Sequence, residues 1–408
     1  MHKNYQLLLI LFTGLLRSAS AQDTLTVSTA EELQSIFSKP MFSIVVRLLP
    51  GEYHLTPTSS FDSSCGNCQN PDTLVAMTRG LLISGSAVKI IGPADQSAVI
   101  ITHSGYGIFM NHCNWCSLEN LAITGGIRDP DGNATDASIV VKNSKGATLR
   151  NNRIYDNIGD AEIVTKTVVG IMGICGRENS DIYIQGNHIL RNSWDGIALY
   201  RDARAVISRN VIDGVDKAAG NQIGGGRGVA IGITWNAQAT IEYNLVTRYW
   251  KGIGLFVDAH ATVSQNIVED ILTWGISLWD ADKGKPIADI EYNVIYKTGA
   301  CGASITSSTP ESPGHFTHNI LVHTAQNPRY DSPDYYCHQC ALAKEAVPDH
   351  FEISDNIFFD NRRATLDLPD NDIPESDFKK AIGPICFELS LEPIFKESSF
   401  LREFCQDK

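Results

Sequence analysis

An asparagine recurs eight times in one frame, hydrophobic-x-x-Asn-x-hydrophobic, between residues 152 and 356. The recurring residues are Asn152, Asn187, Asn210, Asn244, Asn266, Asn293, Asn319 and Asn356. The intervals are 35, 23, 34, 22, 27, 26 and 37 residues, so the shortest repeat corresponds to one flat coil of chain and the longer repeats add a loop. This regularity predicts a solenoid in which each coil stacks on the previous one.

Each repeat contains two short runs in which apolar residues alternate with other residues. In one repeat these runs are residues 196–200 and 206–212, and in another they are residues 252–256 and 263–268. Alternation with a period of two predicts strands, and a small polar turn separates the two runs. Stacked coils place equivalent strands in parallel about 4.8 Å apart. An inward-pointing asparagine at a bend can then hydrogen-bond to the backbone of the neighbouring coils.

The first 21 residues have the features of a secretory signal peptide: His2 and Lys3, a short apolar run, and small residues before Gln22. No later segment reaches 18 apolar residues, so we expect no membrane span. We therefore expect a secreted or periplasmic monomer. Removing Lys3 and Arg17 changes the formal net charge from -13 to -15, which argues against nucleic acid or an anionic membrane as a partner.

Ten cysteines in an exported chain predict disulfide bonds. Three pairs have Cys-x-x-Cys spacing, and Cys386 and Cys405 bracket the tail. The closely spaced pairs are Cys65 with Cys68, Cys113 with Cys116, and Cys337 with Cys340. Two such pairs could instead hold zinc, although export favours disulfides. Cys301 and Cys340 each stand just before the first strand of a coil, so a bridge between coils is conceivable.

The chain is organised as one domain with a cap at each end. Residues 28–37 have a capping serine, early acidic residues and apolar residues at helical spacing, which predicts a short amphipathic helix. This helix belongs to an N-terminal cap at about residues 25–55, and the coils occupy residues 22–361. Residues 362–408 lose the period, so we expect this irregular tail to cover the last coil as a C-terminal cap.

The opening Thr-Val-Ser-Thr-Ala-Glu-Glu-Leu at residues 26–33, the strand at residues 50–55 and the repeated Gly-Ile-x-Leu-Tyr coils match a known pattern. Together they resemble the pectate-lyase-like right-handed parallel β-helix superfamily, and most of all its carbohydrate-active branch. The resemblance implies an all-β, right-handed parallel β-helix solenoid that handles a polysaccharide. The Asp-Pro-His-Asp motif of mannuronan epimerases and the Asp-Asp and Gly-His-Gly motifs of polygalacturonases are absent, so no catalytic residue is carried over.

The first strand of each coil is predicted to show two small residues and one larger residue on its outer face. These triplets are Gly196, Ala198 and Tyr200; Ala230, Gly232 and Thr234; Gly252, Gly254 and Phe256; Gly275, Ser277 and Trp279; Gly302, Ser304 and Thr306. Small residues form a shallow trough that allows close approach of another molecule. A polymer could fill this trough, and so could one of the chain's own loops, such as residues 213–227.

Aromatic residues flank the same strands and predict a sugar-binding surface, because a flat ring packs against the C–H groups of a sugar. The predicted substrate-binding residues are Trp194, Tyr200, Trp235, Trp250, Trp274, Trp279 and Asp282. Charged residues share these edges, and the candidate catalytic residues are Asp195, Arg201, Lys251 and Asp280.

Several reactions are compatible with these residues. A lyase acting on uronic acids needs a base and a cation that neutralises the substrate carboxylate. A hydrolase needs two carboxylates, for which Asp195, Asp280 and Asp282 are available. Epimerisation of a uronic-acid polymer and glycan binding without catalysis remain alternatives.

The acidic loop at residues 129–136 is a candidate calcium site. Its oxygen-bearing residues lie at alternating positions, as in the first half of a calcium loop, but the following glycine and distal glutamate of an EF-hand are missing. The loop could equally be an acidic turn held by side-chain to backbone hydrogen bonds. The candidate ligands are Asp129, Asp131, Asn133 and Asp136.

Overall fold

The computed structural model describes residues 22–159, 169–214, 228–306, 314–330, 339–345, 347, 350–362 and 372–405. The predicted signal peptide, most of the loop at residues 213–227 and Cys337 lie outside the described residues. The described chain forms one sheet of 22 strands and another of 11 strands. The larger sheet consists of two stacks of strands, which are joined because the long strand β5 (Val75–Ile91) pairs with a strand of each stack.

Each coil contributes one strand to each of three stacks. The front stack contains β7 (Tyr106–Asn114), β10 (Ala137–Lys142), β13 (Met172–Arg177), β16 (Ile197–Leu199), β19 (Val229–Ile233), β22 (Lys251–Phe256), β25 (Trp274–Trp279), β28 (Cys301–Thr306) and β31 (Cys340–Glu345). The second stack contains β8 (Ser117–Glu119), β11 (Ala147–Arg150), β14 (Asp181–Gln185), β17 (Arg204–Ser208), β20 (Gln238–Glu242), β23 (His260–Ser264), β26 (Ile287–Glu291), β29 (Gly314–Thr317) and β32 (Glu352–Ser354).

The 11-stranded sheet forms the third stack. Its strands are β3 (Gly51–His54), β6 (Ala98–Ile101), β9 (Ala122–Thr124), β12 (Arg153–Tyr155), β15 (His188–Leu190), β18 (Val211–Asp213), β21 (Leu245–Thr247), β24 (Ile267–Ile271), β27 (Val294–Thr298), β30 (Ile320–Val322) and β33 (Ile357–Phe359). Neighbouring strands within the three stacks pair in parallel, and equivalent residues are in register, as Ile253 is with Ile276. Their inward side chains, mainly isoleucine, leucine and valine, form one continuous core. The predicted parallel β-helix fold is therefore confirmed.

The recurring asparagines form a buried ladder that links successive coils. From Asn187 to Asn356, each carboxamide oxygen accepts a hydrogen bond from the backbone N–H of the preceding ladder asparagine. Asn210 donates to Asn244 over 3.0 Å, and Asn244 donates to Asn266 over 2.9 Å. The side-chain amide of Asn244 also donates to the carbonyl of Ile207 at 2.9 Å. Asn244 is fully buried, so the ladder supplies partners that water cannot supply at these bends.

The residue before each ladder asparagine has a left-handed backbone conformation. Arg209, Tyr243, Gln265 and Tyr292 all have φ values between 53° and 56°. Residues with side chains adopt this conformation at an energetic cost of roughly 1 kcal/mol. The bend tolerates them because the carboxamide that follows is hydrogen-bonded on both sides.

The N-terminal segment contains a short helix as predicted, but the residue that caps it is Thr29 and not the expected Ser28. Strands β1 (Asp23–Val27) and β2 (Met41–Leu48) flank the helix α1 (Ala30–Ile36). Thr29 caps the helix, since its hydroxyl accepts a hydrogen bond from the N–H of Glu32 while the Glu32 carboxylate accepts one from the N–H of Thr29. This reciprocal pair satisfies backbone donors at the start of the helix.

An antiparallel hairpin interrupts the coils near the N-terminus. Strand β4 (Thr58–Asp62) pairs with residues 75–79 of β5. We call residues 58–79 the N-terminal hairpin and residues 63–74 its tip. A disulfide bond between Cys65 and Cys68 lies in the tip.

The C-terminal tail packs along the side of the solenoid. It contains α2 (Glu375–Ser390), a 3₁₀ helix (Pro393–Glu397) and α3 (Ser399–Phe404), with a disulfide bond between Cys386 and Cys405. Its apolar side chains form a second core with the outward residues of the third stack. The Glu269 carboxylate also accepts a hydrogen bond from the backbone N–H of Ser399 at 2.8 Å. The tail therefore covers a flank spanning several coils, whereas the sequence had suggested the last coil alone.

Cys113, Cys116 and Cys175 are buried thiols, and the side chains of Cys301 and Cys340 are also buried. Cys301 and Cys340 are register partners on adjacent coils, and their sulfur atoms lie 3.6 Å apart. In the described part of the chain, no three His, Cys, Asp or Glu side chains are arranged to hold a metal ion. None of its helices is both long and apolar enough to cross a membrane.

Replacing one ladder asparagine tests the role of the ladder. In N244A the N–H and side-chain amide of Asn210 lose their acceptor, and the carbonyl of Ile207 loses a donor. Because each unpaired buried group costs about 1–3 kcal/mol, we expect the free energy of unfolding to fall by at least ~3 kcal/mol. Denaturant titration measures this loss. The exposed Gln238 of the same coil provides the control, and a Q238A variant that loses as much as N244A would contradict this role.

Candidate functional site

The outer face of the front stack carries three columns of side chains. An edge column contains Asp195, Val229, Lys251, Trp274, Cys301 and Cys340. A column of small residues contains Ala198, Gly232, Gly254, Ser277, Ser304 and Ala343. A column of larger residues contains Tyr200, Thr234, Phe256, Trp279, Thr306 and Glu345.

The first residue of each predicted outward triplet faces the interior. Ala230 belongs to the main core, and a Cβ atom on Gly252 would lie 2.6 Å from a methyl group of Val268 and 2.2 Å from the carbonyl of Gly275. The next residue of the strand, such as Ile231 or Ile253, also belongs to the core, so the simple alternation expected for a strand fails there. The outer trough is consequently narrower than the sequence suggested.

Asp195 is a buried carboxyl at the edge of the front stack. Its Oδ1 accepts a hydrogen bond from the N–H of Val229 at 2.7 Å. A Cβ atom on Gly228 would lie 2.0 Å from this oxygen, so glycine allows the close approach. Burial raises the pKa of Asp195 to about 7, while the hydrogen bond from Val229 and the positive charge of Lys251 act in the opposite direction.

Lys251 lies in the same column as Asp195, two coils away, as the repeat spacing predicts. Its ammonium nitrogen lies 4.7 Å from the ring centre of Trp274 and 5.9 Å from that of Phe256. A cation held against ring faces is partly desolvated, and its attraction for a nearby carboxyl is therefore stronger than in water. Asp195, Lys251 and Trp274 thus form an edge where a carboxyl, a cation and an indole lie together.

Phe256 and Trp279 form the opposite rim. Their ring centres are 6.3 Å apart in an edge-to-face arrangement, and Trp279 is 46% exposed. The Phe256 ring extends over Gly254, where an added Cβ atom would meet it at 2.3 Å. The glycine therefore accommodates the chain's own phenyl ring, and the exposed indole of Trp279 provides the open aromatic surface.

Arg201 and Trp235 hold the tip of the N-terminal hairpin. The Arg201 guanidinium donates to the carbonyls of Gly66 at 3.1 Å and of Cys68, and it lies 4.3 Å from the ring centre of Trp235. The Trp235 indole N–H donates to the side chain of Asn67 at 3.1 Å. The structure thus uses Arg201 as an anchor for a distant loop.

The early part of the trough is filled by the hairpin and by the chain segment that follows β9. Tyr200 and Ala198 belong to a separate apolar cluster with Cys65, Met77 and Ala134, and Trp194 and Trp235 pack against it. A chain loop therefore covers this end of the trough, which was one of the two sequence-based alternatives. The loop that does so begins at residue 58.

Asp280 and Asp282 lie in the turn after β25. Asp280 is buried, and its carboxylate accepts a hydrogen bond from the N–H of Asp282 at 3.1 Å. The Asp282 side chain is exposed. Trp250, the remaining indole, is half-buried at the edge, where its carbonyl accepts a hydrogen bond from the N–H of Thr273.

The carboxylate oxygens of Asp129 and Asp131 in the candidate calcium loop have partners within the chain. The Asp129 carboxylate accepts two hydrogen bonds from Thr78, and the Asp131 carboxylate accepts one each from the N–H groups of Ala76 and Asn133. Asp136 forms an ion pair with Arg128, and burial raises its pKa to about 7. These residues tie the loop to the N-terminal hairpin, which corresponds to the acidic turn considered as the alternative to calcium.

Comparison with known proteins identifies the family. The family model described as "Right handed beta helix region" matches residues 79–231 and 173–330, which together span more than half of the 408 residues. The chain belongs to this family. The resemblance seen in the sequence is thereby confirmed. No curated protein matches the chain.

Several solved structures are similar to the chain. An alginate lyase from Paenibacillus sp. str. FPU-7 is 15% identical, with 80% of this chain and 100% of that chain covered and a TM-score of 0.48. The periplasmic alginate epimerase AlgG is 9% identical, with 82% and 85% covered and a TM-score of 0.47. PfbA, a surface adhesin of Streptococcus pneumoniae, is 11% identical, with 82% and 76% covered and a TM-score of 0.43. Similarities at this level indicate nothing about activity.

The second stack carries another surface depression. It is an open groove of about 490 Å³ lined by residues that include Tyr183, Arg204, Gln238, His260 and Asp289. This groove was not predicted from the sequence, because the tryptophans that predict sugar binding lie along the front stack. The contact between Lys251 and Phe256 was not predicted either, although both residues belong to one strand.

A D195N substitution tests the environment of Asp195. The folded-state pKa of about 7 lies above the ordinary value of 3.8, so the folded chain keeps a proton that the unfolded chain loses. The stability of the unsubstituted protein should therefore fall as pH rises from about 4 to about 7, by at most ~4 kcal/mol. An asparagine does not ionise, so D195N should not lose stability in this way. We expect its free energy of unfolding to rise relative to that of the unsubstituted protein between pH 4 and pH 8.

Denaturant unfolding at both pH values measures this effect. The matched control is D282N, which replaces an exposed carboxylate in the turn after β25 and should show little change with pH. A difference between D195N and the unsubstituted protein that is the same at both pH values would show that Asp195 ionises normally.

Proposed function

We propose that the front stack binds a polysaccharide and that the protein is an exported enzyme that cleaves it. The observation that carries this proposal is the position of Asp195 and Lys251 in one edge column beside Trp274, facing a rim formed by Phe256 and Trp279. This arrangement combines a proton-transfer group, a cation and surfaces suited to sugar rings.

The aromatic residues support a glycan as the ligand. The exposed Trp279 ring can pack against the C–H face of a sugar, and the nearby hydroxyl groups of Ser277 and Ser304 can bond to sugar hydroxyls. Because the columns run along the solenoid, successive sugars of a polymer can contact successive coils. A long polymer therefore fits this surface better than a compact metabolite does.

The protonation state of Asp195 supports catalysis. A carboxyl with a pKa of about 7 can both take up and release a proton near neutral pH, as a general acid or base must. Lys251 supplies positive charge within electrostatic reach of this carboxyl. In a uronic-acid polymer, such a cation would stabilise the charge that develops on the substrate carboxylate.

One carboxyl and one cation are the groups that β-elimination requires, so we favour a lyase reaction on a uronate-containing glycan. In this reaction Asp195 removes the proton at C5, next to the substrate carboxylate, while Lys251 neutralises that carboxylate. The C4–O glycosidic bond then breaks as the C4–C5 double bond forms, and the departing oxygen takes up the proton that Asp195 holds. Hydrolysis would need a second carboxylate, for which Asp280 and Asp282 are the candidates. The contacts of Arg201 give it a different role in this scheme, which is to hold the hairpin tip beside the trough.

Activity measurements on pectin, alginate and neutral glycans test this proposal. We expect the unsubstituted protein to generate unsaturated uronate products, detected by their absorbance together with new reducing ends. D195N and K251M should each lose about 100-fold or more in rate. W279A should mainly weaken binding, because its ring contacts substrate without taking part in proton transfer.

The control is D289N, which removes a half-exposed carboxylate from the second stack. It should retain full activity. New reducing ends without unsaturated products would indicate hydrolysis. Glycan binding without any product would show that the protein is a binding module, and an unchanged rate in D195N would exclude Asp195 as the acid or base.

A further inference from the structure

The N-terminal hairpin closes the trough on one side of Asp195. In the coil of Asp195, the outward side chain of Ala198 is 1% exposed and that of Tyr200 is 5% exposed. Both side chains belong to one apolar cluster with Cys65 and Met77 of the hairpin. The hairpin therefore covers the outer face of the coil to which Asp195 belongs.

The outer face of the preceding coils is covered in the same way. Toward the N-terminus, the column of small residues continues as Cys175, Val140 and Phe109. All three side chains are buried and belong to the same cluster as the hairpin residues. A polymer that lies on the front stack therefore cannot continue past Asp195 in this direction.

The trough is open in the other direction. Toward the C-terminus, the column of larger residues continues from the half-buried Phe256 to Trp279, which is 46% exposed, and reaches the exposed Glu345. A glycan chain that starts beside Asp195 can therefore pass Phe256 and Trp279 and leave the surface into solvent.

The Asp195 carboxyl lies at the closed end of the trough and points toward its open side. Its Oδ1 accepts a hydrogen bond from the N–H of Val229, on the next coil, at 2.7 Å. A Cβ atom added to Gly232, also on the next coil, would lie 3.9 Å from Oδ2. The group that is proposed to transfer the proton is therefore next to the wall that the hairpin forms.

The hairpin is held in place at both ends. Near its base, Thr78 donates two hydrogen bonds to the buried carboxylate of Asp129, each over 2.7 Å. At its tip, Arg201 donates to the carbonyls of Gly66 and Cys68. Because the apolar cluster between these contacts is closely packed, it leaves the hairpin little freedom to move. The hairpin is therefore a fixed wall of the trough.

We infer that the hairpin ends the substrate trough beside Asp195, so that the protein removes short products from one end of a polymer and does not cut within it. This inference rests on the proposed function, because it concerns how the same site meets its substrate. It assigns to the hairpin tip, residues 63–74, the role of determining where the polymer is cut.

The position of the wall determines the length of the product. A general base must approach the C–H group that it deprotonates, so the bond that breaks lies beside Asp195. The covered face begins on the coil of Asp195 itself. The space between the wall and this bond therefore accommodates a chain end, whereas the remainder of the polymer must lie toward Trp279.

The size distribution of the products tests this inference on the unsubstituted protein. With pectin or alginate, whichever the protein cleaves, we expect a short unsaturated product to accumulate from the first turnovers. The molar mass of the remaining polymer should stay near its initial value. Size-exclusion chromatography with light scattering measures both. A mixture of fragments of intermediate length at the start, with a rapid fall in polymer mass, would overturn the inference.

Replacing residues 63–74 by the two-residue turn Asn-Gly tests the hairpin tip directly. Asp62 and Val75 are register partners on antiparallel strands, so a two-residue turn can join them. Without the tip a polymer can pass Asp195, and we expect the polymer mass to fall further for the same amount of product. A folded variant that still yields the short product alone would overturn the role of the tip.

A point substitution provides a second variant in case the shortened hairpin does not fold. R201A removes the hydrogen bonds to the carbonyls of Gly66 and Cys68, so internal cleavage should also increase. R209A breaks a pair with Glu392 on the flank that the tail covers, and as the matched control it should yield the short product alone. Identical product sizes from R201A and R209A would contradict the role of the tip contacts.

The outcomes separate this inference from the proposed function. Mixed fragments from the unsubstituted protein overturn the inference and leave the proposed lyase reaction intact, since unsaturated product still forms. The absence of product from every glycan overturns the proposed function, and the inference then fails with it.

Discussion

The stacking of buried asparagine carboxamides is the interaction on which the rest of the structure depends. The carboxamide of Asn244, for example, accepts hydrogen bonds from Asn210 on the preceding coil and donates to the side chain of Asn266 on the next coil. A slip of one residue would break these bonds and turn every core side chain of that coil outward. The ladder therefore fixes the register of coils whose loops differ widely in length.

Because the register is fixed, equivalent residues of successive coils line up in columns on the surface. Asp195 and Lys251 are far apart along the chain but share one column, and Lys142 and Arg177 share another. Groups that are costly to bury can be held close together because the scaffold beneath them is rigid. The front stack thus has one end that the N-terminal hairpin covers and an open aromatic end at Trp279.

The repeat could be predicted from the sequence because it depends on local patterns that recur: the asparagine frame, the alternating strands and the capping box of α1. The contacts across the trough could not be predicted from the sequence, because they join residues that are far apart along the chain. Arg201 bonds to Gly66, 135 residues away. Likewise, the oxygen atoms of Asp129 and Asp131 fit a calcium loop when viewed locally, but β5 supplies their hydrogen-bond donors. The inward orientation of Gly252 could not be predicted, because Gly252 and Ile253 both face the core and strand alternation fails there.

The central claim is that a glycan lies on the front stack between Asp195 and Trp279. Hydrogen–deuterium exchange of D195N, which should bind substrate without converting it, tests this most directly. Added polysaccharide should protect the backbone of residues 251–256 and 274–279 and leave residues 238–242 and 260–264 of the second stack unchanged. Protection of the second-stack groove instead, with none on the front stack, would contradict the account.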